Sequence, residues 1–232
     1  MISKVGSREQ AWSIVNQMFS ESEAYRDLLS KTLPQLEGQT TKDLRSIVDW
    51  EQIPVTTKDN LYGQHPLKAL IPESNKKKIY SYTRSSGTTA FGNSEKVTGK
   101  GFFWPEMKAP ASEFAEEFAN LLRQVISDTE ESTLLIVGLS LGSWAGGEQM
   151  SFSSRISALE LGQSLVVFSP GNNHEEILEA VNVHGPDFSK IVIACCPSAI
   201  YYLMRMADET KTNFPLAKMT FLVTGEPFAE EY

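Results

Sequence analysis

Cysteine is nearly absent. The 232 residues hold two, and they are neighbours, Cys195 and Cys196, inside an apolar run. Adjacent thiols make neither a disulfide framework nor a zinc spacing, and a strand-like setting points to core packing rather than to a reactive thiolate. Histidine is scarce too. His65 precedes a proline in a loop, and His174 and His184 flank a helical stretch. No Ser-His-Asp set is offered, so a nucleophilic triad is not expected and each histidine reads as structural or solvated. Basic blocks are missing. The formal net charge is −8 and the single basic run is Lys76-Lys77-Lys78, read as a solvated loop ahead of a strand. Binding a phosphate backbone needs clustered Lys and Arg, so a nucleic-acid partner is disfavoured. No apolar stretch is long enough to span a bilayer. The first ten residues, Met1 to Gln10, are polar and carry no apolar signal core. A soluble, cytoplasmic protein with no membrane partner is expected. No internal repeat or low-complexity segment is visible.

Apolar residues are present in sufficient number: 41% of the chain, enough for a core in one large domain or two small ones. In the first third, Trp12, Val15, Met18 and Phe19 recur at helical spacing, as do Tyr25, Leu28 and Leu29. Thr41, Thr56 and Thr57 stand where they can cap short helices, and Pro54, Pro66 and Pro72 interrupt the segment. From Ile79 the pattern alternates. Strands are expected at residues 79–83, 134–137, 165–168, 191–194 and 219–223. Helices are expected between them, with apolar faces drawn from Phe114, Phe118, Leu121, Leu122, Val125 and Ile126, then from Ile156, Leu159 and Leu161, then over 175–181 and 199–207. Near-continuous apolar strands alternating with helices predict an α/β fold: an N-terminal helical layer (residues 1–78), then a mostly parallel sheet with helices on both faces (residues 79–232). Ligands of such sheets bind where loops leave the carboxyl ends of strands. Three loops stand at such ends, residues 85–89, 138–147 and 224–227. If their strands are parallel neighbours, all three share one edge.

The first of these loops follows Tyr82-Thr-Arg and reads Ser85-Ser86-Gly87-Thr88-Thr89. Four hydroxyls around a glycine make a turn dense in donors, suited to wrapping a phosphate chain; a polar surface loop has the same composition. A P-loop requires G-x-x-x-x-G-K-[ST]. Residues 87–94 match it except that Asn93 stands where the lysine belongs, which removes the charge that meets the β- and γ-phosphates. The dinucleotide fingerprint G-x-G-x-x-G follows no expected strand.

A third class fits the loop. Residues 85–89 resemble the phosphate loop of adenylate-forming enzymes, the acyl-CoA synthetase and luciferase superfamily, and most of all its phenylacetate–CoA ligase branch. Ile53-Pro-Val-Thr-Thr-Lys-Asp-Asn-Leu61 is similar to that branch's leader, and Thr224-Gly225-Glu226-Pro227-Phe228 to its adenine-side segment. Between them, Ser140-Leu141-Gly142-Ser143-Trp144-Ala-Gly-Gly147 looks like the glycine-rich loop and helix start lining the acyl pocket, and Cys196-Pro-Ser198 resembles the family's Thr-Pro-Ser turn. The likeness runs in order through nearly the whole chain. It implies ATP and Mg²⁺ as cofactors, coenzyme A as the thiol, and a small aryl or hydrophobic carboxylic acid as substrate. It implies that Ser85, Ser86, Gly87, Thr88 and Thr89 meet the phosphates, that Gly225, Glu226 and Pro227 flank the adenine, and that residues 140–144 border the acid. Trp144 reads either as an aromatic wall of that pocket or as core. No catalytic nucleophile or protein metal ligand is implied.

The sequence departs from this pattern where the family continues Gly-Lys-Pro after the two threonines. Here Ala90 follows and the loop runs longer, to Lys96, which either restores a charge near the phosphates or lies on the surface. The family's later elements would fall beyond Tyr232, so the resemblance implies the first part of such an enzyme, inactive as an isolated chain. Two further readings stand beside it. One is an acyl-protein synthetase-like enzyme that passes the acyl group to a cysteine. The other is a scaffold that keeps the fold and binds only a nucleotide or a partner.

Overall fold

The computed structural model describes residues 7–39, 43–84, 103–125, 132–161 and 164–226. Two compact units emerge. One is built from the chain up to Ser81 together with Phe103–Met107. The other is built from Tyr82–Arg84 and from Lys108 onward.

In the first unit, Ser7 opens helix α1 (Arg8–Glu21) with a capping box. Its hydroxyl accepts from the Gln10 N–H at 3.3 Å while the Gln10 side chain accepts from the Ser7 N–H at 2.8 Å. Trp12, Val15 and Phe19 form the buried face of α1. Ser22 caps helix α2 (Glu23–Thr32); its hydroxyl also donates to the Ala69 carbonyl at 3.0 Å, which ties the helix to a distant turn. After α2 the chain runs through single turns, with Pro34, Pro54, Pro66 and Pro72 each beside a break, and one short helix, α3 (Leu67–Leu70). Thr57 does act as a cap. Its hydroxyl accepts from the Asn60 N–H at 3.1 Å, and Asn60 answers the Thr57 N–H at 2.7 Å. Thr41 lies outside the described residues. The core gathers Leu28, Leu29, Leu36, Leu44 and Leu61 around α1, with Trp12 edge-on to Trp50 at 5.2 Å.

Strand β1 (Ile79–Arg84) forms where expected but not in the expected sheet. It pairs with β2 (Phe103–Met107) as a separate two-stranded ribbon. Strand β2 carries Pro105 and the buried Glu106 within five residues, and neither belongs to the usual strand pattern.

The second unit is the parallel α/β layer that the alternation predicts. Its elements are α4 (Lys108–Val125), β3 (Thr133–Gly138), α5 (Ala145–Leu161), β4 (Leu165–Phe168), α6 (His174–Val183), β5 (Lys190–Cys195), α7 (Pro197–Thr210) and β6 (Met219–Val223). The sheet order is β4-β3-β5-β6, all parallel. Register places Leu134 beside Ile191 and Leu135 beside Val192. Alternate residues therefore sort to opposite faces. Leu134, Ile136, Ile191 and Ile193 meet α6 and α7, while Leu135, Val192 and Ala194 meet Phe118 and Leu122 of α4 and the half-buried Met150 and Ala158 of α5. Both faces are covered, which is why β3 is buried along its whole length.

Two helices turn differently from the expected faces. Phe114 and Leu121 of α4 are exposed, and Ala115 and Ala119 take the inward positions beside Phe118 and Leu122; Ile126 lies outside the described residues. In α5, Leu159 is 82% exposed and the buried side is serine: Ser151, Ser153, Ser154 and Ser157. Ser154 and Ser157 donate to the carbonyls four residues back, at 2.6 and 2.8 Å. Their polarity is spent inside the helix, so these small side chains serve as core.

Candidate functional site

The order β4-β3-β5-β6 reverses direction at β3. The chain leaves β3 for β4 on one side, then crosses back to β5 on the other. At such a switch point the loops after the two central strands diverge and open a crevice at their carboxyl ends. Helices α5, α6 and α7 each begin at this edge, because each follows a parallel strand. Their first-turn N–H groups and positive dipole ends lie at this edge, where Glu148, Glu175, Glu176 and Glu226 also stand.

Residues 140–144 lie directly after β3. Gly142 takes a left-handed φ of +79°, which favours glycine. Gly147, in the first turn of α5, presses against the loop: a Cβ there would stand 1.9 Å from the Ser140 carbonyl oxygen. The helix start and the loop are therefore one packed piece. Trp144 is 39% exposed and so is not part of the buried core. The loop after β4, which the sequence reading did not assign to the site, supports it from the other side. The Gly171 N–H donates to the Val137 carbonyl at 3.2 Å, and a Cβ on Gly171 would meet Leu141 at 3.5 Å. The signal for it was Pro170-Gly171 followed by two asparagines, a turn sequence.

The end of β1 reaches the same edge. The Arg84 N–H donates to the Ser143 carbonyl at 2.5 Å, and Arg84 and Trp144 form an isolated parallel bridge. Residues 85–89, the first sequence-derived motif, begin at the next position and lie outside the described residues, as do Ala90 and Lys96.

After β6, the Thr224 N–H donates to the Cys195 carbonyl at 3.2 Å, which carries the β5–β6 pairing one step beyond the strand. Gly225 then turns with φ +88°, and a Cβ on it would stand 3.2 Å from the Cys196 sulfur. Glu226 Oε2 accepts from the Ser198 N–H at 3.2 Å, in the first turn of α7. Two motifs that are separate in sequence, 196–198 and 224–226, are thus in contact; Pro227 lies outside the described residues. Burial pushes the Cys195 thiol up to about 12, with Cys196 beside it adding to the effect. Burial and then the Glu226 carboxylate raise Cys196. Both sulfurs are protonated at neutral pH and make poor acyl acceptors.

The histidines take part elsewhere. His65 Nε2 lies 3.4 Å from Asp27, and His174 stacks on Tyr202 at 5.8 Å. Among the described residues no three His, Cys, Asp or Glu side chains come together to hold a metal ion, and no helix is long and apolar enough to cross a membrane.

The second unit is a doubly wound α/β layer whose strand order reverses at β3, with the glycine-containing 140–144 loop at that edge. Neither a protein-family model nor a curated protein matches the sequence. Among solved structures the chain is similar to 2-hydroxyisobutyryl-CoA ligase, captured in an open conformation in complex with 2-HIB-AMP and CoA. The TM-score is 0.63 and the identity 15%, over 94% of this chain and 46% of that one. The likeness is one of fold, and the chain spans about half the length of the structure it matches.

Proposed function

We propose that this chain supplies the ATP- and acid-binding part of an adenylate-forming ligase of the phenylacetate–CoA ligase type. In that reaction a carboxylate oxygen attacks the α-phosphorus of ATP, the bond to pyrophosphate breaks, and an acyl- or aryl-adenylate forms. The thiol of coenzyme A then displaces AMP. No enzyme nucleophile is needed; positioning and charge stabilisation supply the rate. A shared fold does not carry this conclusion. The observation that carries it is that the carboxyl edge of one parallel sheet holds both the 140–144 loop, bonded to Arg84 at the end of β1, and the 225–226 turn, bonded to the start of α7.

In this reading Ser85, Ser86, Gly87, Thr88 and Thr89 hold the β- and γ-phosphates, starting from the anchored Arg84. Gly225, Glu226 and Pro227 border the adenine. Residues 140–144 border the acid, with Trp144 favouring an aryl or other apolar group. Mg²⁺ enters on the triphosphate, which suits an ion that prefers phosphate and water oxygens to a protein cage.

Calorimetry on the chain tests the reading. ATP and a non-hydrolysable aryl-adenylate mimic are each expected to bind. Replacing Thr88 and Thr89 by Ala is expected to weaken ATP by at least about tenfold, roughly 1.4 kcal/mol. Trp144→Ala is expected to weaken the mimic more than it weakens ATP. Absence of binding for both ligands would overturn the proposal and favour a scaffold.

A further inference from the structure

Helix α7 starts without the cap its position calls for. Cys196 is the N-cap residue, with the extended φ −75° and ψ 149° that let a side-chain oxygen reach back, and its thiol makes no capping bond. Cys196 instead lies beneath the Gly225 turn. The free N–H of Ser198 is taken by the carboxylate of Glu226, 28 residues further along the chain. That places a negative charge at the positive end of a 14-residue helix.

We infer that Glu226 is a positioning residue: it replaces the missing N-cap side chain of α7 and thereby fastens the adenine-side turn after β6 to that helix. The inference rests on the ATP-binding reading for its functional consequence. Three contacts bear on it together. The Thr224 N–H joins Cys195, Gly225 packs on the Cys196 sulfur, and Glu226 binds Ser198. The first two set where the turn lies; the third fixes the helix end to it. Glu226 therefore acts through the backbone of the turn, with its carboxylate directed at α7.

A two-by-two set of variants tests this, read by ATP calorimetry and by urea unfolding. Glu226→Ala is expected to lower the urea midpoint, as loss of a helix cap does, and to raise the Kd for ATP about fivefold by freeing the turn. Glu226→Gln keeps an acceptor oxygen and is expected to recover most of that loss. Cys196→Ser gives α7 an acceptor of its own, so Glu226→Ala in that background should lower the urea midpoint much less, while the Kd penalty of the unfastened turn remains. Equal losses of urea midpoint from Glu226→Ala in both backgrounds would overturn the capping role, and identical Kd values for Glu226→Ala and wild type would overturn the tether. A wild-type chain that fails to bind ATP would refute the functional reading alone. The urea midpoints would still decide the capping role, because the capping bond exists without the nucleotide.

Discussion

Gly146 and Gly147 are adjacent in the first turn of α5, and alanine at the two positions should act in opposite directions. At either site a helical glycine replaced by alanine gains up to about 1 kcal/mol of propensity. Their surroundings differ. A Cβ on Gly146 meets nothing within 4 Å. A Cβ on Gly147 falls 1.9 Å from the Ser140 oxygen, 2.6 Å from its carbonyl carbon and 2.9 Å from the Leu139 oxygen. These are backbone atoms, so no rotamer change relieves the clash; the 140–144 loop has to move or α5 has to start later. Overpacking of this kind costs about 1–3 kcal/mol, and a backbone obstacle puts it toward the upper end. Because the propensity gain is common to both variants, the difference between them isolates the clash. With an m-value of about 2 kcal/mol/M, the two urea midpoints should separate by roughly 0.5–1.5 M, Gly146→Ala at or above wild type and Gly147→Ala below it. Equal midpoints, or a Gly147→Ala protein more stable than its neighbour, would refute the packing of loop against helix on which the candidate site rests.

Other expectations follow from the thiols and from the first unit. A pKa of about 12 in place of 9 lowers the Cys195 thiolate fraction about a thousandfold. Native protein at pH 8 should therefore give no rapid Cys195 adduct with a mild alkylating reagent, and unfolded protein should give one; fast native labelling would contradict the burial. Asp43 is held down to about 2 by hydrogen bonds from Arg45, with Arg45 also paired to Glu9 at 2.7 Å. A carboxyl whose folded pKa is lowered adds stability above its unfolded value near 4 and loses it as pH falls toward 2. Asp43→Asn should flatten the melting temperature of the first unit across that window, and an unchanged slope would count against the pairing.

Much of the second unit was legible because a parallel strand covered on both faces must be apolar along its length. The runs Leu134 to Val137 and Ile191 to Ala194 therefore fall in the buried strands β3 and β5, and the runs Leu165 to Phe168 and Met219 to Val223 coincide with the partly exposed edge strands β4 and β6. Thr57 was legible as a cap for an equally local reason, the reach of a hydroxyl to an N–H three residues on, whereas Ser7 and Ser22, which cap α1 and α2, were not picked out. The serine face of α5 was not legible by hydrophobicity, since hydroxyls bonded within their own helix bury as readily as alanine. Strand β2 was missed because Pro105 and Glu106 speak against a strand, and only pairing with the distant β1 makes one.

Composition, periodicity and turn residues determined the class of fold, the order of strands and helices in the second unit, and the loops that carry glycine and hydroxyl groups. These depend on interactions a few residues long, which the sequence states directly. Tertiary structure decided which strands are neighbours, that β1 leaves the parallel sheet for a ribbon of its own, and that Ser143 and Arg84 meet as do Ser198 and Glu226. Such contacts join residues far apart in the chain, and their energy depends on how helices and strands pack once formed, a quantity no local pattern encodes.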